Sequence, residues 1–259
     1  MPTDTSAVAN RKMEIQIATI INGTETPAGD GVTGALRCVL MLSDGTKRSA
    51  IVKRGPPGQI MAEAFSAVLL GKWGLPVPMP FLIDEEQTLA FASADIGYPN
   101  LKQALALDSL PAGPARDAAV RVAASLACGL PTTPLAAACD EAIDNRDRNL
   151  GNILWDGTDE AWIDHAFALG QGLHMQDANK LCNMAVLVGE DDRVQRSAIA
   201  QGLLLDRGAA ESTEIALAST ALPTTNVASI IATRLNSLGN RLVTRFPRPV
   251  DLLTGHDSA

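Results

Sequence analysis

Residues 144–164 read DNRDRNLGNILWDGTDEAWID, a polar cluster running straight into two short apolar stretches. Asp147 stands five residues ahead of Asn152, and Asp164 follows beyond Asp156-Gly157, a dipeptide that marks a hairpin turn. "NILW" (152–155) and "AWID" (161–164) are therefore expected to pair as antiparallel strands. Such pairing brings Asn152, which enters the first strand, and Asp164, which leaves the second, to the same open end beside the polar cluster. A carboxylate five residues ahead of an amide, with a second carboxylate across a hairpin, suits phosphoryl transfer. Mg²⁺ prefers hard oxygen ligands and takes one or two from protein while nucleotide phosphates supply others. In that chemistry Asn152 and Asp164 hold the metal, and Asp147 accepts or orients the proton of the attacking hydroxyl. Arg146 and Arg148 both qualify for neutralising nearby carboxylate or phosphate charge, and the sequence does not choose between them.

The chain upstream contains the remaining parts in order. Asn145-Arg146-Asp147-Arg148-x-x-x-Asn152 keeps the Asp-to-Asn offset of the kinase signature H-R-D-L-x-x-x-N, and Ala50-Ile51-Val52-Lys53 matches its strand lysine, V-A-I-K. Glu63 lies in a stretch of helical composition (59–74), on one face with Ile60, Ala67 and Leu70. A carboxylate in an apolar stripe needs a cation; Lys53 supplies it, and the ion pair sets Lys53 on the nucleotide phosphates. Gly31 and Gly34 close the turn "GTETPAGDGVTG" (23–34) as a phosphate-cradling loop, with Thr33 between them a candidate for autophosphorylation. Asp144 rivals Asp147 but lacks the five-residue offset.

Those residues need elements to hold them. "MEIQIATIIN" (13–22), "ALRCVLML" (35–42) and "RSAIVKR" (48–54) are expected as strands of an antiparallel meander, with Asp44-Gly45 turning the second pair. "GPPG" (55–58) breaks the chain before the Glu63 helix, and Gly74 with "LPVPMP" ends that helix. "FLID" and "TLAFAS" add two strands around "EEQ". Beyond about residue 100 the composition turns to Ala and Leu with helical spacing over 100–107, 113–130, 135–143 and 225–246. In the last of these Val227, Ile230, Ile231, Leu235, Leu238 and Leu242 keep to one core-facing side. Trp155 and Trp162 are expected to pack against each other across the hairpin, and His165 to make a structural hydrogen bond rather than bind metal. The division is an N-lobe over 1–95 and a C-lobe over 96–259.

Composition sets outer bounds. With 46% hydrophobic residues but 3% aromatics, the core must be built from Ala, Leu, Ile and Val, and base-stacking platforms are absent. A net charge of −8 disfavours phosphate-backbone contact, so no direct nucleic-acid partner is expected. Cys38, Cys128, Cys139 and Cys182 form no CxxC pair and are expected as buried, reduced thiols of a cytoplasmic protein. The start lacks a signal-peptide pattern, and no run of about 18 apolar residues predicts a membrane span.

Taken together, "AIVKRGPPGQIMAEAFSAVLLGKWGLPVPMP", "DNRDRNLGNILW" and "WIDHAFAL" resemble the HipA-like kinases, distant relatives of protein and phosphatidylinositol kinases, over roughly residues 30–170. The resemblance implies an α+β, two-lobed protein-kinase-like fold: an antiparallel β-sheet N-lobe with one helix, and a mainly helical C-lobe. It implies Lys53 as the ATP-phosphate lysine, Asp147 as the catalytic aspartate, and Asn152 and Asp164 as Mg²⁺ ligands. The activity implied is ATP-dependent phosphorylation of Ser or Thr on a protein substrate, often by the toxin of a toxin–antitoxin pair, with an antitoxin protein as partner. The sequence departs from the protein-kinase signature in having His165-Ala166 after the metal aspartate, no Ala-Pro-Glu element, and an incomplete G-x-G-x-x-G. Two alternatives stay open: a small-molecule kinase, since nothing marks a peptide groove, and a pseudokinase that binds nucleotide or a partner without chemistry.

Overall fold

The computed structural model describes residues 13–28, 34–85, 88–174, 176 and 178–246. Its first half is a small barrel. Strands β1 (Gln16–Ile20), β2 (Thr26–Pro27), β3 (Leu36–Leu42), β4 (Lys47–Lys53), β5 (Pro80–Glu85) and β6 (Thr88–Ala94) form one sheet in the order β1-β5-β6-β4-β3-β2. β1 also pairs with β3, Ala18 opposite Leu42, so five strands close on themselves. The short β2 continues along the same edge of β3. Closure removes the exposed sheet edges that an open meander would leave.

The β3–β4 turn is made as Asp44-Gly45 requires. Gly45 takes φ +81°, and the Asp44 carboxylate accepts hydrogen bonds from both the backbone and the hydroxyl of Thr46. Alternate strand residues point inward: Ala18, Cys38, Leu40, Ala50, Val52, Phe81, Ile83 and Ala92 fill the interior. The small residues among them, Ala18, Cys38, Ala50 and Ala92, fit the narrow interior of a five-stranded barrel. The expected all-antiparallel sheet is corrected here, because β1 runs parallel to β5, Ile17 opposite Leu82. Period-2 patterning assigns faces, not strand neighbours, so it left this pairing unspecified.

Helix α1 (Pro57–Lys72) starts with Pro57 in its first turn and ends before Gly74 at φ +84°. Every residue from Ile60 to Leu70 is buried, so α1 has no polar face, unlike the single stripe expected from sequence. It lies between β5 and β6 on one side and the later helices on the other. Trp73 continues the bridge by donating its indole N–H to the Asp206 carbonyl at 2.9 Å.

The second half comprises α2 (Leu101–Ala104), α3 (Pro114–Gly129), α4 (Thr133–Ile143), the hairpin β7 (Ile153–Trp155) and β8 (Glu160–Trp162), and then α5 (Lys180–Val188), α6 (Asp191–Leu204), α7 (Ala209–Leu217), α8 (Val227–Asn236) and α9 (Leu238–Arg245). Fully buried alanines at 123, 124, 127, 136, 137, 138 and 142 let α3 and α4 approach their neighbours closely. The single helix expected over 225–246 is two, divided at Ser237; Ile230, at the edge of the apolar stripe within α8, is 54% exposed, while Ile231, Leu235, Leu238 and Leu242 are buried. Among the described residues no single helix is long and apolar enough to cross a membrane.

All four cysteines are free and buried. Burial pushes their thiols up, Cys128 to about 11 and Cys139 and Cys182 well above the ordinary value. A thiol must ionise to react. Native protein at pH 8 is therefore expected to leave a chromogenic disulfide reagent unconsumed until denaturant is added, when four thiols react. One thiol titrating rapidly without denaturant would contradict this packing.

Candidate active site

The site begins where β4 ends. Val52 points into the barrel, so the next residue, Lys53, points out toward α1. There its Nζ lies 2.5 Å from Glu63 Oε1 and 2.8 Å from Asp164 Oδ1. The second oxygen of Glu63 accepts the backbone N–H of His165 at 2.9 Å. One buried carboxylate thus ties the barrel to the chain that leaves the β7–β8 hairpin. Burial disfavours the Lys53 charge, but Glu63 and Asp164 more than offset it and hold the pKa above its ordinary value. Burial would likewise raise Asp164, yet Lys53 outweighs it and keeps the carboxyl below the usual range. Asp164 adopts φ +65°, a left-handed conformation that costs a non-glycine residue roughly 1–3 kcal/mol.

His165 differs from expectation. Its backbone, not its imidazole, makes the hydrogen bond to Glu63; among the described residues Nε2 has no partner, and burial together with Arg148 and Lys53 keeps the ring neutral.

The polar cluster is a wound loop in which most side chains have an assigned task. Asp144 caps α4 at φ +57°, and its carboxylate is gripped by Arg146 and Arg234. Asn145 donates to Asp140 at 2.9 Å, and its Oδ1 accepts the Asp147 N–H at 3.3 Å. The Asp147 carbonyl accepts from Asn149 Nδ2 at 3.1 Å and from Asn152 Nδ2 at 2.8 Å. Asn152 closes a 3-10 turn, Leu150–Asn152, one residue before β7, and Asp164 lies two residues beyond β8. The strands are thus shorter than the quoted runs, but both residues stand at the same open end, where the Ile163 N–H donates to the Asn152 carbonyl at 3.1 Å.

Each arginine meets a carboxylate, Arg146 that of Asp144 and Arg148 that of Asp140, and they differ in burial. Arg148 is fully buried and forks onto Asp140, Nε–Oδ2 3.1 Å and Nη2–Oδ1 2.9 Å. Its third nitrogen donates to the carbonyls of Asn152 at 3.2 Å and Ile163 at 2.6 Å, clamping both strands of the hairpin. The guanidinium lies over the Trp162 ring, 5.4 Å from its centroid. Trp162 therefore pairs with Arg148 and not with Trp155, which stands opposite Glu160.

Lys53, Glu63, Asn152 and Asp164 line a cavity of about 280 Å³ with apolar walls that include Ile51, Ala67, Val77, Phe91 and Leu154. Asp147 sits on the loop behind Asn152, its carboxylate ion-paired with Lys180 at the start of α5. Gly34 takes φ +62° at the turn before β3 and is not in the cavity wall, although Ala35 is. Gly31 and Thr33 lie outside the described residues. Lys180 and Asp140 carry no motif signal, since their partners are 33 and 8 residues away.

The donor set fits Mg²⁺. Asn152 spends its amide nitrogen on the Asp147 carbonyl, which leaves Oδ1, and Asp164 adds a carboxylate. Among the described residues no group of three or more His, Cys, Asp or Glu is placed to hold a metal ion.

The sequence matches no protein-family model and no curated protein. Its fold is shared with the Helicobacter pylori proinflammatory kinase CtkA at TM-score 0.52 and 14% identity, over 85% of this chain and 96% of that one. The HipA of Shewanella oneidensis MR-1, solved with HipB and its operator DNA, aligns at TM-score 0.47 and 12% identity over 86% of this chain and 65% of that one.

Removing Asp140 while keeping Arg148 strands a buried cation, so Asp140→Leu is expected to cost about 3–5 kcal/mol in chemical denaturation. Adding Arg148→Met should recover part of that loss. A double variant less stable than Asp140→Leu alone would show that the pair is not a buried charge match.

Proposed function

We propose that the chain is a two-lobed, Mg²⁺·ATP-dependent kinase that phosphorylates a Ser or Thr hydroxyl of a protein. The observation that carries this reading is the Lys53–Glu63–Asp164 ion triad on one wall of a cavity whose other wall presents Asn152, beside the Asp147 loop. Lys53, kept cationic and fixed by two carboxylates, binds the nucleotide phosphates. Asn152 Oδ1 and Asp164 would hold Mg²⁺, which would supply neutralisation of phosphate charge. Phe91, Val77 and Leu154 exclude water around the rest of the nucleotide. Asp147 receives the hydroxyl proton as the acceptor oxygen bonds to the γ-phosphorus and the bond to the departing ADP oxygen breaks. Lys180 orients that carboxylate by ion pairing.

The motif resemblance to HipA-like kinases supports an antitoxin protein as a further partner. The four free, buried cysteines suit a reducing cytoplasm.

The test is intact-mass analysis and radiolabel transfer with Mg²⁺ and ATP, alone and with cell lysate, for wild type, Asp147→Ala and Asp164→Asn. Phosphate is expected on the protein or a lysate component with wild type, slowed at least about 100-fold in each variant. Equal behaviour of all three would sink the assignment.

A further inference from the structure

On the far side of the catalytic turn lies a second cavity of about 290 Å³. The partition between the two cavities is thin and built from two short segments. Asn100 and Gln103 of the α2 region, with Gly151 and Asn152, face the first cavity, whereas Lys102, with Asn149 and Leu150, faces the second. Lys180, the ion-pair partner of Asp147, lines the second cavity as well. A ligand held there lies across the catalytic loop from the phosphate-binding cations, on the side from which Lys180 reaches Asp147.

The lining has a specific chemistry. Leu107, Leu150, Val120 and Met184 give it an apolar floor. Lys102, Arg116 and Lys180 stand around it against a single acidic group, Asp108, which is 74% exposed and 3.8 Å from Arg116. Lys102 has no anionic partner among the described residues. Its aliphatic stem packs on Gly151, where a Cβ would come 3.7 Å from Lys102 and 2.9 Å from Asn149 Oδ1. With Arg116 facing Asp108 and Lys180 paired with Asp147, Lys102 is the rim's one unmatched cation among the described residues, on a chain whose overall charge is −8. An apolar floor with a cationic rim recognises a large aliphatic side chain next to a carboxylate.

We propose that this cavity is the acceptor site: it takes a peptide segment in which a large aliphatic residue and an acidic residue flank the phosphorylated Ser or Thr. The proposal rests on the kinase reading above and adds the acceptor's chemistry to it. Lys102 is a specificity residue, and Lys180 serves both the rim and Asp147.

The test is phosphorylation of a degenerate Ser/Thr peptide array with Mg²⁺ and ATP by wild type, Lys102→Glu and Met184→Gln, each checked for a native melting transition. Wild type is expected to select peptides carrying Asp or Glu with Leu, Ile or Met, and to lose selectivity as salt rises. Lys102→Glu should raise KM for acidic peptides about tenfold, a 1.4 kcal/mol effect, and shift preference toward Lys and Arg. Met184→Gln should weaken the aliphatic preference and keep the acidic one. A merely structural role would not reverse a charge preference. Peptide phosphorylation without acidic preference, or with one unchanged in Lys102→Glu, overturns the acceptor site and leaves the kinase reading standing. ATP hydrolysis with no peptide phosphorylated does the same. A wild type that neither binds nor hydrolyses ATP overturns both.

Discussion

A carboxylate withdrawn from water at Glu63 is the constraint around which the two halves of the molecule are arranged. Leaving such a group unpaired in an apolar helix costs several kcal/mol, so each oxygen must find a donor. One is met by Lys53 from the barrel, the other by the backbone of His165 just past the hairpin. Neither donor belongs to α1. Satisfying Glu63 therefore fixes the distance between a barrel strand and a hairpin more than 100 residues later in sequence. Asp164 then meets Lys53 because its neighbour is already tied down.

Behind that junction a second buried charge repeats the same logic within the helical half. Arg148 and Asp140 are both fully enclosed, and every donor of the fork that is engaged meets either Asp140 or a carbonyl at the open end of the hairpin. A buried pair of this kind adds little net stability over an apolar pair of the same volume. Its contribution is positional: one rigid plane holds α4, the Asp147–Asn152 turn and both hairpin strands in a single geometry. The alanine-rich packing of α3 and α4 supplies the stability that such a pair does not.

What the sequence revealed follows from the range of each interaction. Asn152 and Asp164 were legible because a hairpin is local, and its register puts their ends together whatever surrounds it. Lys53 and Glu63 were legible as a pair because a strand lysine and a helix carboxylate each lacked a partner. The parallel β1–β5 pairing was not, since alternation marks faces without naming neighbours. The break at Ser237 escaped notice because the apolar spacing continues across it, and only the Ser237 backbone, at φ −110° and ψ 9°, departs from the helix. Arg148 and Arg146 have the same side chain two positions apart, and only the depth of burial distinguishes the fully enclosed hairpin clamp from the half-buried partner of Asp144. Lys180 belongs to no pattern: it meets Asp147 because α5 begins there, and a cation at a helix N-terminus runs against the helix dipole unless an anion holds it.

The left-handed backbone at Asp164 shows where the stabilisation of both halves is spent. A non-glycine residue adopts that conformation only when its surroundings leave no alternative. Here the chain is pinned on both sides, by Arg148 through the Ile163 carbonyl and by Glu63 through the His165 N–H, so residue 164 must turn between two fixed points. The turn carries its carboxylate to Lys53, out of the direction that β8 would otherwise give it. A few residues on, the Leu169 N–H bonds the Ile143 carbonyl at the end of α4, which prevents the segment from relaxing outward. The two buried charge matches and the strained turn are therefore one device. The matches immobilise the flanking backbone, and the strain is the form in which that rigidity reaches the side chain at the cavity wall.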